Sequence, residues 1–313
     1  MSGAPAYPDS VFLVDASIYI FQSHFSPYVE CFDQEGNELS ALFGFTQFLL
    51  QFLKRVQPSH IAIAQDQSLF CGFRHELCPD YKSNRELPDE NLEMQLQGCM
   101  EVCDYLALPC FGSKMYEADD IIGTLSTRVR SLSKGHSKVQ IVSKDKDLAQ
   151  LLRHDEDCLW DYSANRKRRR SHIQEEFGVS PEQFPDYLGL TGDSVDCISG
   201  VPGVGPVKAK ELISHFGNLD NLYANLHQVA DLPLRGAARL GALLQEHRER
   251  AELSRRLAVI VCDVDVREEP FSQVGLDQLQ RDRVDHDGLT AFLQRHKFRD
   301  EDRRRILALA GGL

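Results

Sequence analysis

Three short apolar runs each stop at an aspartate, and this repeated stop limits more than anything else how the chain can fold. "SVFLVDAS" carries Val11 to Val14 into Asp15, "SHIAIAQD" carries Ile61 to Ala64 toward Asp66, and "VQIVSKDKDLAQLL" carries Val139 to Val142 toward Asp145 and Asp147. Runs of this length and content read as buried strands. Between the first two, residues 40–56 place Leu42, Phe45, Leu49, Leu50 and Leu53 at helical spacing, closed by "QPS". A helix is also expected after Asp147. Strands alternating with helices predict an α/β fold with a mostly parallel sheet covered on both faces, whose sites gather beyond the carboxyl ends of its strands. Asp15, Asp66, Asp145 and Asp147 fall there.

After about residue 180 the pattern becomes helical, beginning at "SPEQFPDYLGL", with the next strand expected at "LAVIVCDVDV", 257–266. The organisation predicted is an α/β domain over 1–180, a helical subdomain over 181–260, and a C-terminal segment, 261–313, packing on the first. "GVPGVGPVKAKELI", 200–213, is a glycine-punctuated turn opening a helix, where Gly200, Gly203 and Gly205 allow backbone N–H groups close to a phosphate. Taken alone, such a turn is weak evidence and more often just a loop.

Composition sets the class. An apolar share of 42% and a charged share of 26% are those of a globular protein. The longest apolar runs fall far short of the roughly 20 residues a membrane helix requires, and "MSGAPAYPDS" lacks a signal pattern. A soluble cytosolic protein is expected. Nine cysteines without a C-x-x-C pair favour reduced thiols over a zinc site or a disulfide framework.

The acids make a further pattern. "YEADDIIGTL" crowds Glu117, Asp119 and Asp120 at the start of a helix, where residues three apart, Glu117 and Asp120, share a face. Acids there also suit the helix dipole, which is the plain structural explanation. "GDSVD" adds Asp193 and Asp196. Brought together in a partly dry cleft, nine carboxylates repel unless cations neutralise them, and oxygen-only donors suit Mg²⁺ or Mn²⁺ rather than zinc. Two such ions about 4 Å apart drive phosphodiester hydrolysis in nucleases and phosphatases. The net charge of −12 argues against a nucleic-acid partner until those nine charges are assigned to a cation site, which leaves the remaining surface nearly balanced.

In order along the chain, "VDAS", "AQD", "FRHELCPDYKSNR", "EADDIIGTL", "SKDKDLAQLL" and "GLTGDSVDCISGVPGVGPVKAKELI" resemble the motifs of the 5′ nucleases. That family comprises the N-terminal domain of bacterial DNA polymerase I, phage 5′ nucleases and flap endonucleases; the likeness covers roughly residues 11–300 and is greatest to stand-alone bacterial 5′-3′ exonucleases. It implies a PIN/5′-nuclease-like sheet followed by a helix-hairpin-helix (helix-three-turn-helix) subdomain that grips duplex DNA. It also implies that Asp15, Asp66, Glu117, Asp119, Asp120, Asp145, Asp147, Asp193 and Asp196 hold two Mg²⁺ ions directly or through water, with Mn²⁺ able to substitute.

The same resemblance makes about 71–100 a helical gateway for single-stranded 5′ DNA, in which Arg74, Lys82 and Arg85 serve the phosphates and Tyr81 and Phe73 can stack on a base. Gly200, Gly203, Gly205, Lys208 and Lys210 would hold the duplex backbone, with a K⁺ ion at the 199–204 turn. The implied enzyme is a 5′-3′ exonuclease or flap endonuclease of replication and repair, acting as a monomer in the bacterial cytosol on 5′ ends, flaps or nicks and leaving a 5′-phosphate.

Some residues depart from the family pattern: Cys197 and Ser199 replace its asparagine and proline, Gln22 stands where an arginine is usual, and Lys144, just before Asp145, is unusual and could pair with a site carboxylate or a phosphate. The basic run 166–170 is either a duplex contact or a solvated hairpin tip. Competing readings are a non-catalytic branched-DNA-binding protein, a PIN-type ribonuclease, for which "GVPGVGPVKAK" is superfluous, and a haloacid-dehalogenase-like phosphatase, which "DAS" fails by placing Ser17 where a second aspartate is needed.

Overall fold

The computed structural model describes residues 7–68 and 70–313. A six-stranded sheet is built from β1 (Ser10–Asp15), β2 (Ile61–Asp66), β3 (Cys110–Ser113), β4 (Lys138–Val142), β5 (Cys158–Asp161) and β6 (Arg166–Arg168) in the order β3-β2-β1-β4-β5-β6. All neighbours are parallel except β5 and β6. Chain order reverses between β1 and β4, and the crevice that opens beyond such a switch is where this architecture places sites.

Alternation along the strands divides the interior between the two faces. Val11, Leu13, Ala62, Ala64, Val139 and Ile141 bury against α5 (Ala118–Leu132). The opposite face sends Val14, Ile61, Ile63 and Val142 against α1 (Ala16–His24), α2 (Ser40–Val56) and α4 (Glu90–Tyr105). The apolar stripe read at 40–56 is therefore the core face of α2. Onto α2 and α4 fold α12 (His286–Arg295) and α13 (Asp300–Ala310), through Leu289, Phe292 and Ile306. Short α3 (Phe73–Leu77) lies in the expected gateway stretch, and α6 (Arg170–Phe177) follows the sheet.

The helical part contains α7 (Phe184–Thr191), α8 (Pro206–Phe216), α9 (Leu219–Ala224), α10 (Ala237–Glu246) and α11 (Arg248–Ala258). Between α7 and α8 the backbone closes on itself. Asp193 and Ile198 exchange two hydrogen bonds of 2.8 and 2.7 Å, forming a small hairpin with Asp193 and Asp196 on it. Gly200 (φ +61°) and Gly192 (φ +71°) meet backbone to backbone, so that a Cβ on Gly200 would lie 2.3 Å from the Gly192 nitrogen. No side chain fits there.

Two expected elements differ. Residues 259–266 form no strand, although their β-branched alternation suggests one. Their backbone is served by side chains instead of a ladder: the N–H groups of Ile260, Val261 and Val264 donate to Gln150, Asp120 and Thr124, and Arg74 donates to the carbonyls of Leu257 and Val259. The helix expected after Asp147 is a five-residue 3-10 helix, Asp147–Leu151.

Candidate active site

Because β1, β2 and β4 run parallel, their C-terminal ends bring distant acids side by side. Asp15 ends β1, caps α1 through the Ile18 N–H at 3.4 Å, and accepts from Ser143 Oγ at 2.8 Å. Burial raises its carboxyl to about 6 despite Ser143, and the charges of Asp145 and Asp66 add to the rise. Asp66 ends β2 and is fixed by the N–H and hydroxyl of Ser68 at 2.9 and 2.7 Å. Asp145 follows β4 and receives the Asp147 N–H at 2.9 Å.

The remaining acids come from three other places. Asp119, in the first turn of α5, is pushed well above the usual carboxylate range by burial and then by Asp145 and Asp15. Burial, with Asp145 next, lifts Asp147 to about 7, and its Oδ1 is buried without a hydrogen bond. Asp193 and Asp196 reach the cleft from the hairpin between α7 and α8: Asp193 adds to the charge that Asp147 feels, and Asp196 is raised by burial with Asp145 and Glu117 adding. Asp145 is the neighbour common to Asp15, Asp119, Asp147 and Asp196.

Lysines cross this acidic cleft. Lys82 Nζ lies 2.9 Å from Glu117 Oε1 and 3.9 Å from Asp196 Oδ2. Burial would raise Glu117, yet Lys82 and Arg74 outweigh it and hold the carboxyl below its usual range. Lys146, between the two acids of "DKD", pairs with Asp193 and stands 3.3 Å from Asp147 Oδ1. It is this lysine, and not Lys144, that engages the acids; a lysine flanked by two aspartates was the signal to follow. Among the described residues no three His, Cys, Asp or Glu side chains are drawn closely enough together to enclose an ion. The donor chemistry nevertheless fits a hard divalent cation, since these are oxygen ligands, several are held above their normal range by burial and then by neighbouring carboxylates, and one buried oxygen has no hydrogen bond.

The stretch expected as a gateway docks onto the hairpin. The Lys82 N–H donates to Asp196 O at 3.0 Å, Asn84 Nδ2 to Val195 O at 3.1 Å, and Arg85 to Asp196 Oδ1 at 2.8 Å. Lys82 itself has φ +52°, a left-handed backbone held by these contacts.

Three expected site residues are used differently. Asp120 is fully buried and turned away from the cleft, bound by Arg74 at 2.6 and 2.8 Å, by the Val261 N–H at 2.9 Å and by the Glu117 N–H at 3.0 Å. Glu117 and Asp120 do share a face, but as a capping box. Arg74 spends its remaining donors on the Leu257 and Val259 carbonyls and is 3% exposed, leaving nothing for a phosphate. Tyr81 is 2% exposed and donates its hydroxyl to Glu117 at 3.1 Å, so it cannot stack on a base. Phe73 lies beside the Tyr116 ring and under the Arg74 guanidinium.

On the turn, Gly203 and Gly205 are exposed ahead of the α8 N-terminus, whereas Gly200 is packed away. Lys208 Nζ donates to the Gly203 carbonyl at 2.8 Å, within the turn expected to hold K⁺, and the Lys210 stem lies over Gly178. The basic run is engaged internally: Arg166 and Arg168 pair with Glu176, Arg170 with Glu182, and Lys167 stacks on Trp160.

Acidic oxygens gathered at the carboxyl edge of a parallel sheet, beside a turn that presents backbone N–H groups, define a phosphodiester hydrolase working with divalent cations. The chain belongs to the 5′-3′ exonuclease family, whose N-terminal resolvase-like domain matches residues 10–178 and whose C-terminal SAM fold matches residues 179–285. It is 32% identical to the 5′-3′ exonuclease of Buchnera aphidicola subsp. Acyrthosiphon pisum over 256 residues, 82% of this chain and 88% of that one. It is 34% identical to Flap endonuclease Xni of Cronobacter sakazakii over 258 residues, 82% and 94% of the two chains. Its fold is similar to that of the bacteriophage T5 flap endonuclease solved with DNA and metal ions, with a TM-score of 0.63, 20% identity, and 96% and 99% of the chains covered.

Proposed function

We propose that this enzyme is a structure-specific 5′ nuclease that hydrolyses DNA phosphodiesters at 5′ ends, nicks or 5′ flaps with two Mg²⁺ ions, in replication and repair in the bacterial cytosol. The observation that carries this reading is the convergence of Asp15, Asp66, Asp119, Asp145 and Asp147 with Asp193 and Asp196, a set drawn from both parts of the chain. These residues and Glu117 would hold the cations. Once bound, divalent ions supply charge that activates water and steadies phosphate oxygens during in-line displacement.

The chain's own residues do the rest. Arg85 presents its guanidinium at the cleft edge and Lys82 holds a buried ammonium beside Glu117, where each can serve a scissile phosphate as it gains negative charge. The exposed N–H groups at Gly203, Gly205 and the α8 N-terminus suit a duplex phosphate and read backbone rather than bases. A K⁺ ion at this turn would share the Gly203 carbonyl with Lys208. The test is a gel: with a 5′-labelled flap, a nicked duplex and a plain single strand, Mg²⁺ should give short labelled products from the first two, and EDTA none. Equal cutting of all three, or cutting in EDTA, would overturn the reading.

Stability should report the same acids without any cleavage. In EDTA, folded Asp15 and Asp147 keep protons up to about 6 and about 7, whereas the unfolded chain releases them near 3.8. The folded state binds more protons across that window, so stability falls as pH rises through it, by on the order of a few kcal/mol. Added Mg²⁺ should flatten that slope, as read from thermal midpoints at pH values spanning the window. A midpoint that rises with pH in EDTA would contradict the assignment.

A further inference from the structure

Lys146 is the residue that the family reading leaves without a task. Its ammonium lies between Asp193, which comes from the hairpin after α7, and Asp147, which opens the 3-10 helix after β4. It therefore spans the two parts of the chain that jointly form the cleft. Asp147 Oδ1, the oxygen 3.3 Å from Nζ, has no hydrogen bond and is buried, while the lysine side chain is 38% exposed to solvent. A compact, singly charged group on a flexible stem thus sits where two carboxylates of the cleft face each other. Among the described residues, every ion pair of Lys146 is to one of these acids.

We propose that Lys146 is a built-in competitor for the divalent cation that Asp147 and Asp193 help to hold. The ammonium offsets part of the pair's charge in the cation-free enzyme, keeping the hairpin drawn to the sheet, and must leave before an ion can use those oxygens. Occupancy at this position is thereby weakened on its own. It becomes favourable when a substrate phosphate stands at the cleft mouth to receive the displaced ammonium. The inference rests on the cation-dependent reading above and adds to it the expectation that the two ion positions differ in affinity.

The test is Mn²⁺ binding to the whole enzyme, by calorimetry and by electron paramagnetic resonance, for the wild type, Lys146→Met and Lys146→Arg, with no DNA present. Lys146→Met should tighten the weaker site about tenfold, because a charge facing the ion is removed. Lys146→Arg should behave like the wild type. If the methionine variant does not fold, Lys146→Gln makes the same comparison with a neutral polar stem. Unchanged or weaker Mn²⁺ binding in the neutral variants, alongside wild-type binding that is readily measured, overturns the competitor role and leaves the nuclease reading intact. Wild-type enzyme that takes up no Mn²⁺ at millimolar concentration overturns both.

Discussion

Asp145→Ala is expected to lower Mg²⁺-dependent flap cleavage by roughly three orders of magnitude, about 4 kcal/mol of barrier, while binding to the same flap changes only a few-fold. Asp145 is the acid whose charge reaches Asp15, Asp119, Asp147 and Asp196, so its loss removes the common member of the cation-binding set. The same substitution relieves repulsion in the cation-free protein. Its thermal midpoint in EDTA should therefore equal or exceed that of the wild type, and the gain on adding Mg²⁺ should shrink. Single-turnover cleavage and paired melting curves check both halves. A variant that cuts at the wild-type rate would remove Asp145 from the site.

Asp120→Ala should act in the opposite sense, chiefly on stability. It leaves the Arg74 guanidinium buried without its bidentate partner and strips acceptors from the Val261 and Glu117 N–H groups. Breaking a buried pair of this kind costs about 3–5 kcal/mol. Arg74→Ala should cost a similar amount, since it also frees the Leu257 and Val259 carbonyls. A double variant should lose less than the sum, because each side chain then no longer strands the other. Urea titrations of the four forms measure this directly. Below its own unfolding transition, Asp120→Ala should keep a far larger share of cleavage than Asp145→Ala; the reverse ranking would restore Asp120 to the cation set.

These two acids also mark what the sequence can and cannot reveal. Asp119 and Asp120 are neighbours, and nothing in their identity says which one faces the cleft. Helical phase decides it, turning Asp119 toward Asp15 and Asp145 and Asp120 toward Arg74. The strands that end in Asp15 and Asp66 and the strand before Asp145 were legible because each is a β-branched or apolar run with a polar stop. Edge strands β3, "CFGS", and β6, "RKR", carry no such run, the first for its glycine and brevity, the second because its side chains are cationic. The misreading of 257–266 has a different origin. Val259 to Val266 alternate like a strand, but acceptors on Asp120, Thr124 and Gln150 and the donor Arg74 take the place of a neighbouring strand, and only tertiary structure supplies them.

Arg74 and Tyr81 were misassigned for a related reason. A basic or aromatic residue in a gateway-like motif looks available until its burial is known, and both serve the foundation of the site rather than its surface.

The docking of Lys82, Asn84 and Arg85 on the 193–198 hairpin has a mechanical corollary. Two of these contacts end on main-chain oxygens of Val195 and Asp196 and the third on the Asp196 carboxylate, so this stretch is tied to the hairpin. A strand end prying this stretch outward would pull Asp193 and Asp196 with it, and one letting it settle would return them. Were a 5′ strand to pass through this stretch, its passage and the placing of the acids would be coupled by these few hydrogen bonds.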